Sequence, residues 1–197
     1  MGAGVIPFSV YDGTVYFLFQ KTFRSRKMGY LIDFGGGIDE GETYQQAAIR
    51  EFVEETETLF LCENDAEVQI AQKTPSRIAH QIAIMKNLFD KSLKKYPNGC
   101  CRRKPGNKIP PKDWKTFFIE VEYRDLTLIN LEWKNGAESG NRFSKRRRFS
   151  KRRELHWISG NELLLIYKNN PKKLWKRVRQ LEHATKVIQE IIEKSNQ

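Results

Sequence analysis

The sequence contains no run of about 18 apolar residues, the length that a membrane-spanning helix requires. Its first residues also lack the basic and then apolar pattern of a secretory leader. We therefore expect a soluble protein that works in the cytoplasm and has no membrane partner.

Cysteine is scarce as well, with only Cys62, Cys100 and Cys101 in the chain. These thiols, two of them adjacent, cannot form a disulfide framework. The three histidines lie far from them in sequence, so a zinc site built from cysteine and histidine is not expected. We expect ordinary reduced thiols.

Acidic residues are absent from two stretches of a chain whose net charge is +11. The first stretch, residues 96–112, is rich in proline, glycine and asparagine, which predicts a loop. The second is a direct repeat, because residues 142–147 and 148–153 both read Arg-Phe-Ser-Lys-Arg-Arg. Eight of these twelve residues are basic, so the repeat belongs on the surface.

Three roles for residues 142–153 remain open. The basic side chains fit nucleic-acid phosphates, with Phe143 and Phe149 available to stack on bases. The same composition fits a basic address that would take the protein to the nucleus. The third alternative is a loop expansion that binds nothing.

Hydrophobic patterning predicts an α/β chain with a single domain over residues 1–197. Residues 3–10 and 14–21 form a predicted hairpin around Asp12 and Gly13, since Asp-Gly favours the tight turn. A helix is predicted from Pro75, and with the loop after it we interpret about 74–112 as an insertion. The remaining predictions are strands at 59–61, 114–123 and 154–158, a short helix capped by Ser159, and one last helix from Pro171 past Ile192.

A glycine-rich turn at residues 33–42 leads directly into a predicted helix that ends with several glutamates. An ideal helix turns about 100° per residue, so Glu51, Glu54 and Glu55 share about a quarter of its circumference. Such like charges repel one another on a helix. Magnesium is held by carboxylates together with substrate phosphates, and glycines allow close approach of the backbone. This pattern indicates a site for a metal ion and a diphosphate.

The spacing of these residues resembles the Nudix box, the signature of the Nudix hydrolase superfamily. The resemblance covers residues 36–58 and includes Gly36, Glu42 and the segment 50–55. Glu57 departs from the pattern, which has glycine at that position and ends the helix with it. The resemblance implies an α/β/α sandwich with a mixed β-sheet, here with an inserted helix and basic loops.

The resemblance also implies roles for individual residues. Mg²⁺ or Mn²⁺ would be held by Glu51, Glu54 and Glu55, with a backbone carbonyl of Gly35 or Gly36, and would lower the pKa of a bound water. Glu54 is the first candidate for the general base. The remaining candidates are Glu120 and Glu154 as remote carboxylates, Arg50 as the partner that orients Glu42, and Arg24, Arg26 and Lys27 as contacts to substrate phosphate.

The implied reaction is hydrolysis of the diphosphate linkage in a nucleoside diphosphate joined to another moiety. Removal of the 5′ cap from RNA and hydrolysis of diphosphoinositol polyphosphates are alternative reactions, because both substrates suit a basic surface. A Nudix-fold protein that binds nucleotide or RNA without cleaving it is the alternative of another class. Many relatives pair, so a homodimer is among the expected partners.

Overall fold

The structure is a computed structural model that describes residues 1–23, 27–69, 74–104, 113–138 and 153–195, with the backbone alone for 135–138. Arg24, Arg26 and residues 142–152 of the basic repeat therefore lie outside the described residues, as do residues 105–112 of the predicted insertion. In the part of the chain that is described, no helix combines the length and apolar character needed to cross a membrane.

The described strands form one mixed sheet of six strands. They are β1 (Gly2–Tyr11), β2 (Thr14–Thr22), β3 (Phe34–Gly37), β4 (Cys100–Arg102), β5 (Trp114–Glu120) and β6 (Arg153–Ser159). The order across the sheet is β4-β5-β1-β2-β6, and β3 also pairs with β1. Only the β1–β5 pairing is parallel among those described, so the sheet is mixed, as predicted.

Helices cover both faces of this sheet. They are α1 (Tyr44–Glu55), α2 (Asp65–Gln69), α3 (Pro75–Lys95), α4 (Thr127–Glu138), α5 (Gly160–Asn169), α6 (Lys176–Arg179) and α7 (Ala184–Ser195), with a 3-10 turn at Pro171–Lys173. Phe52 of α1, Phe89 of α3 and Trp133 of α4 share one buried cluster. Leu163 of α5 and Ile188 of α7 lie in the other. The predicted α/β/α sandwich is confirmed.

The opening hairpin forms where the sequence predicts it. Phe8 pairs with Phe17 and Tyr11 with Thr14. Asp12 has a φ of 47° and Gly13 a φ of 69°, the positive values that a two-residue turn between right-twisted strands requires. The two strands place the buried β1 at the centre of the sheet.

The predicted helix from Pro75 is also present. Thr74 caps it by accepting a hydrogen bond from the Arg77 N–H, and Pro75 occupies the first turn, where its missing N–H costs no helical hydrogen bond. Met85 and Phe89 are fully buried. The apolar stripe of α3 is therefore core, and the helix packs on α1.

Three predictions about intermediate segments are wrong. Residues 59–61 form turns that follow α1 rather than a strand. Cys100–Arg102 form β4 inside the predicted loop, because pairing with β5 satisfies their backbone groups in spite of weak strand composition. The predicted last helix is broken into the 3-10 turn, α6 and α7.

The break in the last helix comes from tertiary hydrogen bonds. The Leu31 N–H donates to the Lys173 carbonyl and the Trp175 N–H to the Leu31 carbonyl, at 2.9 Å each. Farther on, the Glu182 N–H donates to the Arg102 carbonyl, and His183 adopts a φ of 59°. The apolar stripe is buried as predicted, but these partners replace a continuous helical ladder.

A buried ion pair joins α6 to the segment before β3. Asp33 is fully buried, and Arg177 donates to its carboxylate and, at 2.9 Å, to its carbonyl. Burial raises the pKa of Asp33, and the charge of Arg177 opposes that rise. The guanidinium also lies over the Trp114 ring, with its central carbon 4.3 Å from the ring centroid.

Helix α1 ends on a left-handed residue that is not glycine. Glu57 has a φ of 56° and Thr58 a φ of 62°. The Thr58 N–H donates to the Val53 carbonyl and the Glu57 N–H to the Glu54 carbonyl, at 3.1 Å each, the pair of bonds that defines a Schellman cap. The sharp helix exit is thus present although Glu57 stands where the pattern has glycine, and a strained residue lies at its centre.

Replacing Arg177 with Met should lower the free energy of unfolding by about 3–5 kcal/mol, because the buried Asp33 carboxylate loses its partner. Urea denaturation measures the change. Adding Asp33→Asn should recover part of the loss, since a neutral amide leaves no buried charge. Arg179→Met, on the exposed side of α6, should have little effect; equal losses at the two arginines would contradict this account.

Replacing Glu57 with Gly should raise the free energy of unfolding by about 0.5–1 kcal/mol. Relief of the left-handed strain exceeds the entropy that glycine adds to the unfolded chain. Thermal denaturation measures the gain. Glu57→Ala is the matched control, because it removes the charge but keeps a Cβ, and it should not stabilise; a similar gain from alanine would assign the effect to charge.

Candidate active site

The glycine turn and α1 approach each other closely at Gly36 and Glu51. A Cβ placed on Gly36 would lie 2.1–2.5 Å from the three carboxyl atoms of Glu51. No side chain fits there without displacing the carboxylate. The start of α1 is fixed by a reciprocal capping box between Thr43 and Gln46.

Arg50 binds the acidic residues around it in several directions. Its Nε and one terminal nitrogen donate to the two Glu42 oxygens at 2.8 and 2.9 Å, which is the predicted pairing. The guanidinium also donates to the Gly37 carbonyl at 2.9 Å and to Glu51 at 3.0 Å. The hydrogen bonds from Arg50 hold the pKa of Glu42 below its usual range. Arg50 thus joins the turn to α1.

Glu55 is held at the other edge of the same turn. One of its oxygens accepts from the Gly35 N–H and from the Gln20 side-chain amide, at 2.8 Å each. Arg153 donates to the Glu55 carbonyl and to the Gln20 side-chain oxygen, at 3.3 Å each. The Arg153 guanidinium lies 3.9 Å from the second Glu55 carboxylate oxygen.

The three glutamates of α1 differ in their surroundings. The Glu51 side chain is 9% exposed and the Glu54 side chain 34%, and Glu54 lies 3.6 Å from Arg50. Burial raises the pKa of Glu51, the hydrogen bond from Arg50 lowers it, and the charges of Glu55 and Glu54 raise it further. The predicted carboxylates therefore lie close enough to interact.

The donors at this site fit a hard divalent cation by their chemical kind. They are carboxylate oxygens, and Glu51 carries a buried carboxyl group whose ionised form lacks full compensation. Within the described ranges, however, no three His, Cys, Asp or Glu side chains gather closely enough to hold an ion. Arg50 and the Gly35 N–H hold Glu51 and Glu55 in this arrangement.

Glu120 and Glu154 lie on other parts of the sheet. Phe118 and Ile158 belong to the cluster on the face opposite α1, and residues two or four positions away in a strand point to the same face. Glu120 accepts from Lys95 at 2.9 and 3.1 Å, and Glu154 lies 3.4 Å from His156. Their roles as remote carboxylates stay predictions.

Lys27 is the one predicted phosphate contact within the described residues. Its ammonium lies 5.5 Å from the centroid of the Trp175 ring. Burial lowers the pKa of Lys27, Arg177 and Arg153 lower it further, and Glu55 and Asp33 oppose the change. Lys27 therefore lies within electrostatic range of the Glu55 edge of the site.

Sequence reasoning missed Gln20 and Arg153. Gln20 interrupts an apolar strand yet is only 2% exposed, and a buried amide needs hydrogen-bond partners. A polar residue within an apolar strand was the signal in the sequence that could have identified Gln20. Arg153 ends the basic repeat, so composition alone gave no reason to separate it from the other basic residues.

Replacing Gly36 with Ala should displace the Glu51 carboxylate and destabilise the protein by about 1–3 kcal/mol, because the new methyl group overlaps it. Thermal denaturation and the NMR pKa of Glu51 measure the two effects. Gly37→Ala is the matched control, since a Cβ there would meet nothing within 4 Å. If both substitutions gave the same result, the close approach of Gly36 to Glu51 would not be what requires glycine at position 36.

The sequence and the fold both have counterparts among known proteins. Residues 2–83 match the NUDIX domain model. A protein of Acanthamoeba polyphaga mimivirus is 44% identical over 62 residues, which are 29% of this chain and 20% of the viral protein. The match thus spans a fifth of that relative's length.

Two solved structures resemble the fold. The Ap4A hydrolase of C. elegans in a binary complex shares 12% identity, with a TM-score of 0.45 over 98% of this chain and 97% of that one. A NUDIX hydrolase from Alicyclobacillus acidocaldarius shares 13% identity, with a TM-score of 0.46 over 99% and 91%. The match of the NUDIX domain model to residues 2–83 confirms the resemblance that the box indicated.

Proposed function

We propose that the chain is a Nudix hydrolase that cleaves the diphosphate linkage of a nucleoside diphosphate joined to another moiety. The match of residues 2–83 to the NUDIX domain model supports this class of reaction. The observation that carries the proposal is geometric: the Glu51 carboxylate lies against Gly36, and Glu54 and Glu55 are close enough to affect its charge.

A metal ion is part of the proposal. Glu51, Glu54 and Glu55 would hold Mg²⁺ or Mn²⁺, which when bound supplies Lewis-acid stabilisation of the phosphate charge. The cation would also reduce the electrostatic repulsion among these carboxylates, which remains when no cation is bound. Burial of the Glu51 carboxylate, together with the charges of Glu55 and Glu54, is the physical reason to expect that a cation binds here.

The protein's own residues have separate roles in this scheme. Arg50 fixes Glu42 and Glu51 and so positions the acidic face of α1. Glu54, the most exposed of the three glutamates, takes the proton of the water that attacks phosphorus, while the bond to the leaving phosphate oxygen breaks. Lys27 lies within electrostatic range of Glu55 and would pair with a phosphate of the substrate.

The identity of the second moiety is tested with a panel of substrates. The panel includes a nucleoside diphosphate sugar, a dinucleoside polyphosphate, capped RNA and a diphosphoinositol polyphosphate, each with Mg²⁺, Mn²⁺ or EDTA. We expect release of phosphate or nucleoside monophosphate in the presence of either metal and none in EDTA. Faster turnover of capped RNA or of the inositol compound would move the assignment to that substrate.

Glu54→Gln should lower kcat by at least about 100-fold, the smaller end of what a general base contributes. Substrate affinity, measured by calorimetry, should change much less. Glu57→Gln is the matched control, because it neutralises a glutamate just beyond the end of α1. Tight binding of a panel member without turnover would support the non-catalytic alternative and overturn the proposed hydrolase.

A further inference from the structure

A groove of about 630 Å³ lies beyond the C-terminal end of α1. Its walls come from the turns after α1, from α3 and from the segment that follows β5. The groove lies at the opposite end of the sheet from the glycine turn. Gly2 pairs with Gly37 and Trp114 at one end, whereas the Val121 N–H bonds the Phe8 carbonyl at the other. The groove is therefore separate from the candidate active site.

The floor of the groove is apolar. Leu61, Ile84, Leu88 and Tyr123 line it, and each is half-buried rather than fully covered. Leu61 and Leu88 pack against buried core residues and leave their remaining surface to solvent. These side chains offer apolar surface to a ligand directly beside the charged residues of the groove.

The rim of the groove is acidic. Among the described lining residues, Glu63, Asp65, Glu122 and Asp125 carry negative charge and Arg124 alone carries positive charge. All four carboxylates lie on exposed residues. The groove is thus negatively charged, whereas the chain as a whole has a net charge of +11. A positively charged ligand is the one that this rim attracts.

Hydrogen bonds to backbone fix the walls. Arg124 donates to the carbonyls of Phe60 and Cys62, at 3.2 and 2.5 Å. The Trp157 indole N–H donates to the Arg124 carbonyl at 2.8 Å, and its ring stacks on Tyr123 with centroids 5.4 Å apart. A preformed groove loses little conformational entropy when a ligand binds.

We propose that this groove binds residues 142–152 of a second copy of the chain, which are the duplicated basic hexapeptide apart from Arg153, since Arg153 is held at Glu55 of its own chain. Each hexapeptide has one aromatic residue, Phe143 or Phe149, surrounded by arginine and lysine. The phenylalanine would lie on the apolar floor while the cations face the acidic rim. Burial of the phenylalanine removes apolar surface from water, and the charges add steering and specificity.

A second copy supplies the segment more readily than the chain itself. Strand β6 runs from Arg153, which is bound at Glu55 and Gln20, toward Trp157 beside the groove. The repeat of the same chain would have to fold back along β6 to reach the groove. A second molecule has no such constraint, and its repeat brings positive charge to a negative surface.

The test uses the full chain and a fluorescein-labelled synthetic peptide of residues 142–152. Light scattering after size exclusion should show dimers at protein concentrations above the peptide Kd, and unlabelled peptide in excess should return monomers. The labelled peptide should bind with saturable anisotropy. A peptide with both phenylalanines changed to alanine should bind at least tenfold more weakly.

Variants of the rim separate this groove from general attraction of charge. Glu63→Lys with Glu122→Lys should weaken peptide binding at least tenfold and abolish the dimer. The matched control, Glu193→Lys on the exposed side of α7, should change Kd less than twofold. Circular dichroism checks that each variant is folded. Equal effects of the rim and control variants, or equal binding of the alanine peptide, would overturn the proposal.

Two other outcomes would also overturn it. A full chain that stays monomeric above the peptide Kd does not use its repeat in a second copy. A monomeric chain that binds labelled single-stranded RNA, with binding lost when residues 142–152 are deleted and Arg153 is kept, assigns the repeat to nucleic acid.

Discussion

The ion pair between Asp33 and Arg177 fixes where the glycine turn lies. Asp33 directly precedes β3, and its carbonyl accepts from both Arg177 and Gln20. Gln20 in turn donates to Glu55. Through these hydrogen bonds, Asp33 and Gln20 connect α6, β2, the glycine turn and the end of α1. Because charges away from water are costly when unpaired, this connection tolerates little displacement.

The residues that hold the candidate site in place extend beyond residues 2–83, which match the NUDIX domain model. The domain model ends at residue 83, yet Arg153 and Arg177 both hold groups at the turn or at α1. The C-terminal part of the chain is thus built into the site rather than appended to it. Arg153 also brings positive charge to an acidic surface, since its guanidinium lies 3.9 Å from Glu55, which in turn lies within range of Glu51.

The sequence predicted the features that depend on local patterns. The hairpin at Asp12 and Gly13, the cap at Thr74 and the pairing of Arg50 with Glu42 each follow from residue type and short spacing. The carboxylate face of α1 follows from helical periodicity. The grouping of these residues at one site was predictable for the same reason.

Features set by distant partners were not predictable. The break after Pro171 requires hydrogen bonds to Leu31, which is far away in sequence. Strand β4 exists because β5 offers a free edge, and α4 was overlooked altogether. Gln20 and Arg153 reach Glu55 only after three separate elements have assembled. The periodicity of hydrophobic residues describes one element at a time, so it does not predict which distant residues come into contact.

The location of Arg153 has a consequence for how the basic segment can change in length. Arg153 is the last residue of the second hexapeptide and also the first residue of β6, beside Glu55. The first hexapeptide ends with Arg147, and the units are identical. Loss of one whole unit, or gain of a third, would still deliver an arginine immediately before Glu154. Replication slippage by complete units therefore keeps an arginine at the entrance of β6.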